Sequence, residues 1–170
     1  LKGVLPRTYT KIDNAILVLT GKKVRLVTPT DEVVADEQLE YWERKQMAVA
    51  RGHAQVFSDN KNLKADVIVA YFKKTKAGKS AIHRVEAFDK VVVKTSKERA
   101  TSDRGVYSVK SGIATLTGSV KIARDGNHLD GCKAEVNLNT GISKMFSCAN
   151  QGGGQVGGVF NLGKKKPKGN

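Results

Sequence analysis

Few residue types in this 170-residue chain could do chemistry, and their spacing decides what they are for. His53, His83 and His128 lie in separate segments, with no His-x-His, His-Glu-x-x-His or Cys/His spacing that would gather a metal ion. Gly78-Lys79-Ser80 lacks the earlier glycine of a phosphate-cradling loop, and Ser80-Ala81-Ile82-His83 lacks the glycines of a nucleophile elbow. Both read as an exposed turn. Asp36, Asp66 and Asp103 could be imagined as paired carboxylates for hydrolysis, but they recur once per repeat, and catalytic residues tend to break a repeat pattern. One aspartate per repeat fixes a turn or an edge. Tyr41, Tyr71 and Tyr107 recur in the same way and read as cross-strand packing. No catalytic residue, metal or cofactor is assigned, and the chain is not expected to be an enzyme.

Charge selects the sign of a partner. Lys and Arg number 30 against 16 Asp and Glu, a formal net charge of +14, which attracts phosphates and other polyanions. The basic residues are scattered, apart from Lys22-Lys23, Lys73-Lys74 and the run Lys164, Lys165, Lys166 and Lys168. No zinc-finger spacing, basic zipper or aromatic RNA-binding signature accompanies them, so nucleic acid is not the expected partner. A phosphorylated glycolipid or an anionic membrane surface satisfies the same electrostatics.

The elements that must position these residues are strands. Helical periodicity is almost absent, while two-residue alternation recurs from Ile16 to Met145, which predicts an all-β chain. Ala114, Leu116, Gly118, Val120 and Ile122 form a dry face against Thr115, Thr117, Ser119 and Lys121 on a wet one. The same pattern returns at Ala48 to Val56 and Val85 to Val93, with a partial copy at Leu17, Leu19 and Gly21. Each copy is followed by a second strand, Val34-Ala35-Asp36 to Tyr41, Lys64-Ala65-Asp66 to Tyr71 and Thr101-Ser102-Asp103 to Tyr107, with a degenerate fourth at Leu129-Asp130-Gly131 to Leu138. Both series recur roughly every 30 residues, the signature of a repeat architecture. Turn-forming clusters such as Ser58-Asp59-Asn60 and Arg124-Asp125-Gly126-Asn127 separate the strands. Glu37 to Ala50 reads as two strands joined by Glu43-Arg44-Lys45-Gln46. One domain over residues 1–149 is expected, followed by a Gly-rich and Lys-rich tail over 150–170 in which Gly157 to Leu162 could add a last short strand.

The strands Ala50-Arg51-Gly52-His53-Ala54-Gln55-Val56 and Leu116-Thr117-Gly118-Ser119-Val120-Lys121-Ile122, each followed by an Ala-Asp type strand ending near Tyr, resemble the OstA-like (LptA-type) repeat family of periplasmic lipopolysaccharide-transport proteins. The resemblance covers roughly Ala15 to Phe146 and rests on the order and spacing of four repeats. Asp89 stands where the family pattern has Gly. The resemblance implies a twisted, partly open antiparallel β-jellyroll whose apolar interior holds the acyl chains of lipopolysaccharide. It also implies end-to-end self-association and partners that are LptC-like and LptD-like periplasmic domains. Location is then periplasmic, and the absence of Met at position 1 fits a chain whose signal peptide has been removed.

On the apolar phase of their strands lie Leu17, Leu19, Ala50, Val56, Ala65, Val67, Val69, Val85, Val91, Val93, Leu116, Val120, Ile122 and Leu138, the expected groove lining. Lys73, Lys74, Lys76 and Lys79 share one connecting segment and are the candidates for contacting lipid A phosphates. A rival reading is a polyanion-binding β-domain, an adaptor for nucleic acid or a cell-wall polymer. Cys132 and Cys148 complete the set. Asn139-Thr140-Gly141 suits a three-residue hairpin loop folding back about residue 140, with Leu138 opposite Ile142 and Cys132 opposite Cys148, within reach of a disulfide in an oxidising compartment.

Overall fold

Alternating apolar and polar residues give a sheet one dry face, and the chain builds only strands around it. The structure is a computed structural model; it describes residues 8–9, 17–20, 24–27, 31–58, 60–76, 78, 80–148 and 157–159. The described residues form thirteen strands: β1 Thr8–Tyr9, β2 Leu17–Thr20, β3 Val24–Val27, β4 Asp31–Ala35, β5 Gln38–Trp42, β6 Met47–Ser58, β7 Lys61–Lys74, β8 Ser80–Lys94, β9 Glu98–Ser108, β10 Ile113–Arg124, β11 Asn127–Asn137, β12 Ser143–Phe146 and β13 Gly157–Val159. No helix occurs among the described residues. Neighbours are antiparallel in the order β1-β2-β5-β6-β7-β8-β9-β10-β11-β12, with β3 on β4, β4 on β6 and β13 on β11. The expected strand pair around Glu43 to Gln46 is present as β5 and β6, paired from Gln38↔Arg51 to Trp42↔Met47.

Every long strand is interrupted near its middle, and the interruptions line up. Register shifts fall between Arg51 and Ala54, Lys64 and Val67, Phe88 and Val91, and Thr117 and Val120. Bulges bend a strand and increase its twist, so aligned bulges crease the sheet into two half-sheets. The first carries β2, β5 and β12 beside the start of β6 and β8; the second carries β3, β4 and β13 beside their ends. The result is an open β-jellyroll.

Residue chemistry at the crease explains the recurring aspartates. β6, β8 and β10 each place two residues there, Gly52-His53, Asp89-Lys90 and Gly118-Ser119, with left-handed backbone at Gly52, His53, Asp89, Lys90 and Gly118. At Gly118 a Cβ would overlap the Asp103 side chain, so only glycine fits. Asp89 keeps the same left-handed turn at φ 60° because a short polar side chain tolerates it. An aspartate ties each bulge, from the bend between β4 and β5 for β6 and from the preceding strand for β8 and β10: Asp36 lies 3.4 Å from His53 Nδ1, Asp66 3.0 Å from Lys90 Nζ, and the Ser119 N–H donates to Asp103 at 3.0 Å.

Two expectations need correction. β7 contributes a single crease residue, Asp66, and one extra residue reverses which face the following side chains occupy. Ile68, opposite Ala50 and Ala87, therefore enters the core, while Val67 and Val69 pair with Arg51 and Val49 on the other face. The second concerns the fourth repeat. The lone crease residue of β11, where β7 has Asp66 and β9 has Asp103, is Cys132 and not Asp130, which pairs with Lys121 beyond the crease.

The last hairpin also differs by one residue. Its loop holds four residues, with the Asn137 N–H donating to the Ile142 carbonyl at 2.8 Å and Val136 opposite Ser143, so Leu138 does not face Ile142. Asn137 favours the longer loop because its side-chain oxygen accepts the N–H groups of Asn139 and Thr140, both at 3.0 Å. That register would set Cys132 opposite Ser147. β12 ends at Phe146, however, and the chain beyond it brings Cys148 to Cys132 as a disulfide with Cα atoms 5.1 Å apart.

Candidate lipid-binding face

Two apolar clusters lie on one face of the creased sheet, and each takes residues from both half-sheets. The first holds Leu39, Ala50, Ile68 and Ala87 from one half with Val24, Ala35, Ala54, Ala65 and Val91 from the other side or the crease. Val33, Val56, Leu63, Val85 and Val93 pack against it and stay half-buried. The second holds Ala114, Leu116, Ala134 and Val136 with Ala100, Val120 and Ile122, and Leu129, Leu138 and Met145 pack against that. Val93 touches both clusters and makes the face continuous.

Small residues set its shape. Five of the nine buried members of the first cluster are alanine, which brings the two half-sheets together with little side-chain volume between them. At Gly105, opposite Ala87 and Leu116, a Cβ would stand 3.3 Å from Val91 and 3.4 Å from Leu116. There the interior is packed tight. The half-buried valines and leucines lie further from that point and are the apolar groups still able to meet a ligand.

Of the predicted lining, Ala50, Ala65, Val91, Leu116, Val120 and Ile122 are buried in the clusters, and Val56, Val85, Val93 and Leu138 are half-buried against them. Leu17 and Leu19 pair with Tyr41 and Leu39. Val67 and Val69 are on the opposite face. Sequence alternation missed Ile68 and Leu63, and the recurring Asp66 was the signal that could have found Ile68.

The predicted lysine cluster comes only partly together. Lys73 and Lys74 are successive residues at the end of β7, so their side chains leave opposite faces, and Lys76 is exposed in the turn that follows. Lys79 lies outside the described residues, as do Gly21 and the lysines from Lys164 onward.

On the reverse face of the first half-sheet the buried carboxylates are paired. Glu40 is buried with both oxygens engaged, accepting from Trp42 Nε1 at 2.7 Å and from Arg51 Nε at 3.3 Å. Glu86 is buried between Arg84 at 2.7 Å and Arg104 at 3.2 Å, and the Arg104 guanidinium lies over the Phe88 ring. A buried carboxylate is tolerated when both oxygens are satisfied in this way. No group of three metal-ligating side chains occurs among the described residues.

Comparison with known proteins gives a consistent picture. Residues 32–142 match the family described as LptA/(LptD N-terminal domain) LPS transport protein. An uncharacterized protein of Rhizobium meliloti (strain 1021) is 23% identical over 128 residues, spanning 72% of this chain and 67% of that one. The crystal structure of LptH, the LptA homologous periplasmic component of the conserved lipopolysaccharide transport device from Pseudomonas aeruginosa, superimposes with a TM-score of 0.66 at 18% identity. The match covers 77% of this chain and 94% of that one.

Proposed function

The chain belongs to the LptA/(LptD N-terminal domain) family of lipopolysaccharide-transport proteins, whose members are periplasmic transport proteins and not enzymes, and from that premise we propose that it carries lipid A with the acyl chains held against its creased apolar face. The observation that carries this reading is the continuous face running from Val33 and Leu63 through Val93 to Leu129 and Leu138, apolar residues that pack on the two buried clusters and stay half-buried themselves.

The energetics fit a conduit. Sheltering hydrocarbon from water is worth about 0.8 kcal/mol per CH₂, on the order of 10 kcal/mol for a long acyl chain. Passage from a bilayer to this face exchanges one apolar environment for another, so most of that gain cancels and net transport needs an outside energy source. Lys74 and Lys76 would hold the phosphates at the rim where β7 ends. The outermost strands would pair end to end with further copies and with LptC-like and LptD-like domains, because open strands leave N–H and C=O groups free.

Delipidated protein titrated with lipopolysaccharide and, separately, with an oligonucleotide tests this reading. Saturable lipopolysaccharide binding that survives high salt is expected, because apolar contact is not screened. Steep salt-dependent oligonucleotide binding without lipopolysaccharide binding would instead favour a polyanion adaptor.

A further inference from the structure

On the reverse face of the second half-sheet Arg25 pairs with Glu32, but other described cations there have no ion-pair partner. Lys64, Lys94, Arg99 and Lys121 form no ion pair among the described residues, whereas Arg51, Arg84, Arg104 and Lys133 on the first half-sheet all pair with carboxylates. Lys94 sits directly across from Arg99. Like charges placed opposite each other destabilise a sheet, so this arrangement costs stability until something neutralises it.

Three strands build a concavity at this place. Register puts Arg99, Ala123 and His128 in one row across β9, β10 and β11, and Thr101, Lys121 and Asp130 in the next. These six share one face and, together with Ile122 and Leu129, which follow Lys121 and His128 in the chain, line a cavity of about 380 Å³. Thr101 and Ala123 are short and lie between longer side chains, which is why the surface dips there. The volume lies within the range of about 300–1,000 Å³ typical of small-molecule sites.

We propose that this concavity is a binding site for a phosphorylated saccharide. Arg99 supplies a planar guanidinium fork suited to phosphate oxygens, Lys121 a second positive charge, and Thr101 a hydroxyl donor. Asp130, beside Lys121, repels a bare anion but accepts hydrogen bonds from sugar hydroxyls. Cations and an acceptor together therefore favour a sugar bearing phosphate over phosphate alone. The site is on the opposite face from the lipid-binding reading and does not rest on it.

Titration of the full chain with glucose 1-phosphate, inorganic phosphate and glucose tests the site. Saturable binding is expected, tightest for glucose 1-phosphate, with NMR shifts confined to Arg99, Thr101, Lys121, His128 and their neighbours. The Arg99→Gln/Lys121→Gln variant is expected to bind glucose 1-phosphate at least about tenfold more weakly, the loss of charge-assisted hydrogen bonds. Asp130→Ala is expected to narrow the preference over inorganic phosphate. Both substitutions touch exposed side chains, and an unchanged circular dichroism spectrum verifies the fold. A parallel titration with lipopolysaccharide distinguishes the sources: weaker binding of both ligands by the double variant assigns the site to a lipid-borne headgroup, and loss for glucose 1-phosphate alone assigns it to a free ligand. Equal affinity of variant and unaltered protein for glucose 1-phosphate, or equal affinity of the unaltered protein for glucose and glucose 1-phosphate, overturns the proposal.

Discussion

The two faces of one creased sheet solve opposite problems with the same strands. On the inner face, alanines at 50, 54, 65 and 87 let the half-sheets converge, and valines and leucines beside them remain half-buried. On the outer face, long side chains cover the backbone and one another: Val49 is buried there although no described strand packs above the sheet, since its cross-strand partners are Glu40 and Val69 and Arg51 reaches Glu40. Apolar residues thus occur on both faces. What separates the faces is whether such residues join a cluster spanning the crease or lie singly under charged side chains.

Substitutions at neighbouring positions should expose that difference, and the largest effects belong inside. Leu116→Ala removes one of the largest fully buried side chains, and Ile68→Ala cuts into the first cluster. Each is expected to cost about 2–5 kcal/mol in urea unfolding, several times the cost of Val67→Ala one residue away on the outer face. Equal losses at 67 and 68 would show that the face reversal at Asp66 is wrong.

The disulfide comes next. It closes a loop with a sequence separation of 16 residues, and its removal in Cys132→Ala/Cys148→Ala is expected to cost about 3 kcal/mol. Intact mass after thiol alkylation should show no free thiols before reduction and two after it. An unchanged unfolding midpoint in reductant would mean that the crease at β11 holds without a covalent tie.

Smaller effects separate the crease and the outer face. Gly118→Ala is expected to cost about 1–3 kcal/mol, because the left-handed backbone and the Asp103 side chain both oppose a Cβ. Asp89→Gly in the equivalent bulge should be close to neutral in the same assay. Glu86→Ala leaves Arg84 and Arg104 facing each other without their shared carboxylate and should cost about 1–3 kcal/mol. Lys94→Gln, which removes a cation directly across from Arg99, should change stability by less than about 0.5 kcal/mol, towards stabilisation at low salt.

Much of this arrangement was legible in the sequence, and what escaped on the inner face traces to the crease. Period-two alternation places Ala50, Val91, Leu116 and Ile122 correctly because β6, β8 and β10 add two residues at the crease, which preserves the phase. β7, β9 and β11 add one. Alternation read through Asp66 therefore assigns Val67 and Val69 to the wrong face and passes over Ile68. The same one-residue corner falls on Cys132 in the fourth repeat, where alternation made Asp130 look like the fourth aspartate. The rows that bring Arg99, Lys121 and His128 together across β9, β10 and β11 could not be read without register, since these residues are far apart in the chain.

The central claim, that acyl chains lie against the inner face, is tested most directly by site-specific photo-crosslinking to lipopolysaccharide. A photoreactive residue would replace Val56 or Val93 on the inner face and Val67 or Val92 on the outer face, all four half-buried valines. Adducts are predicted from positions 56 and 93 and not from 67 and 92. Adducts of equal yield from all four, or from 67 and 92 alone, would contradict the account.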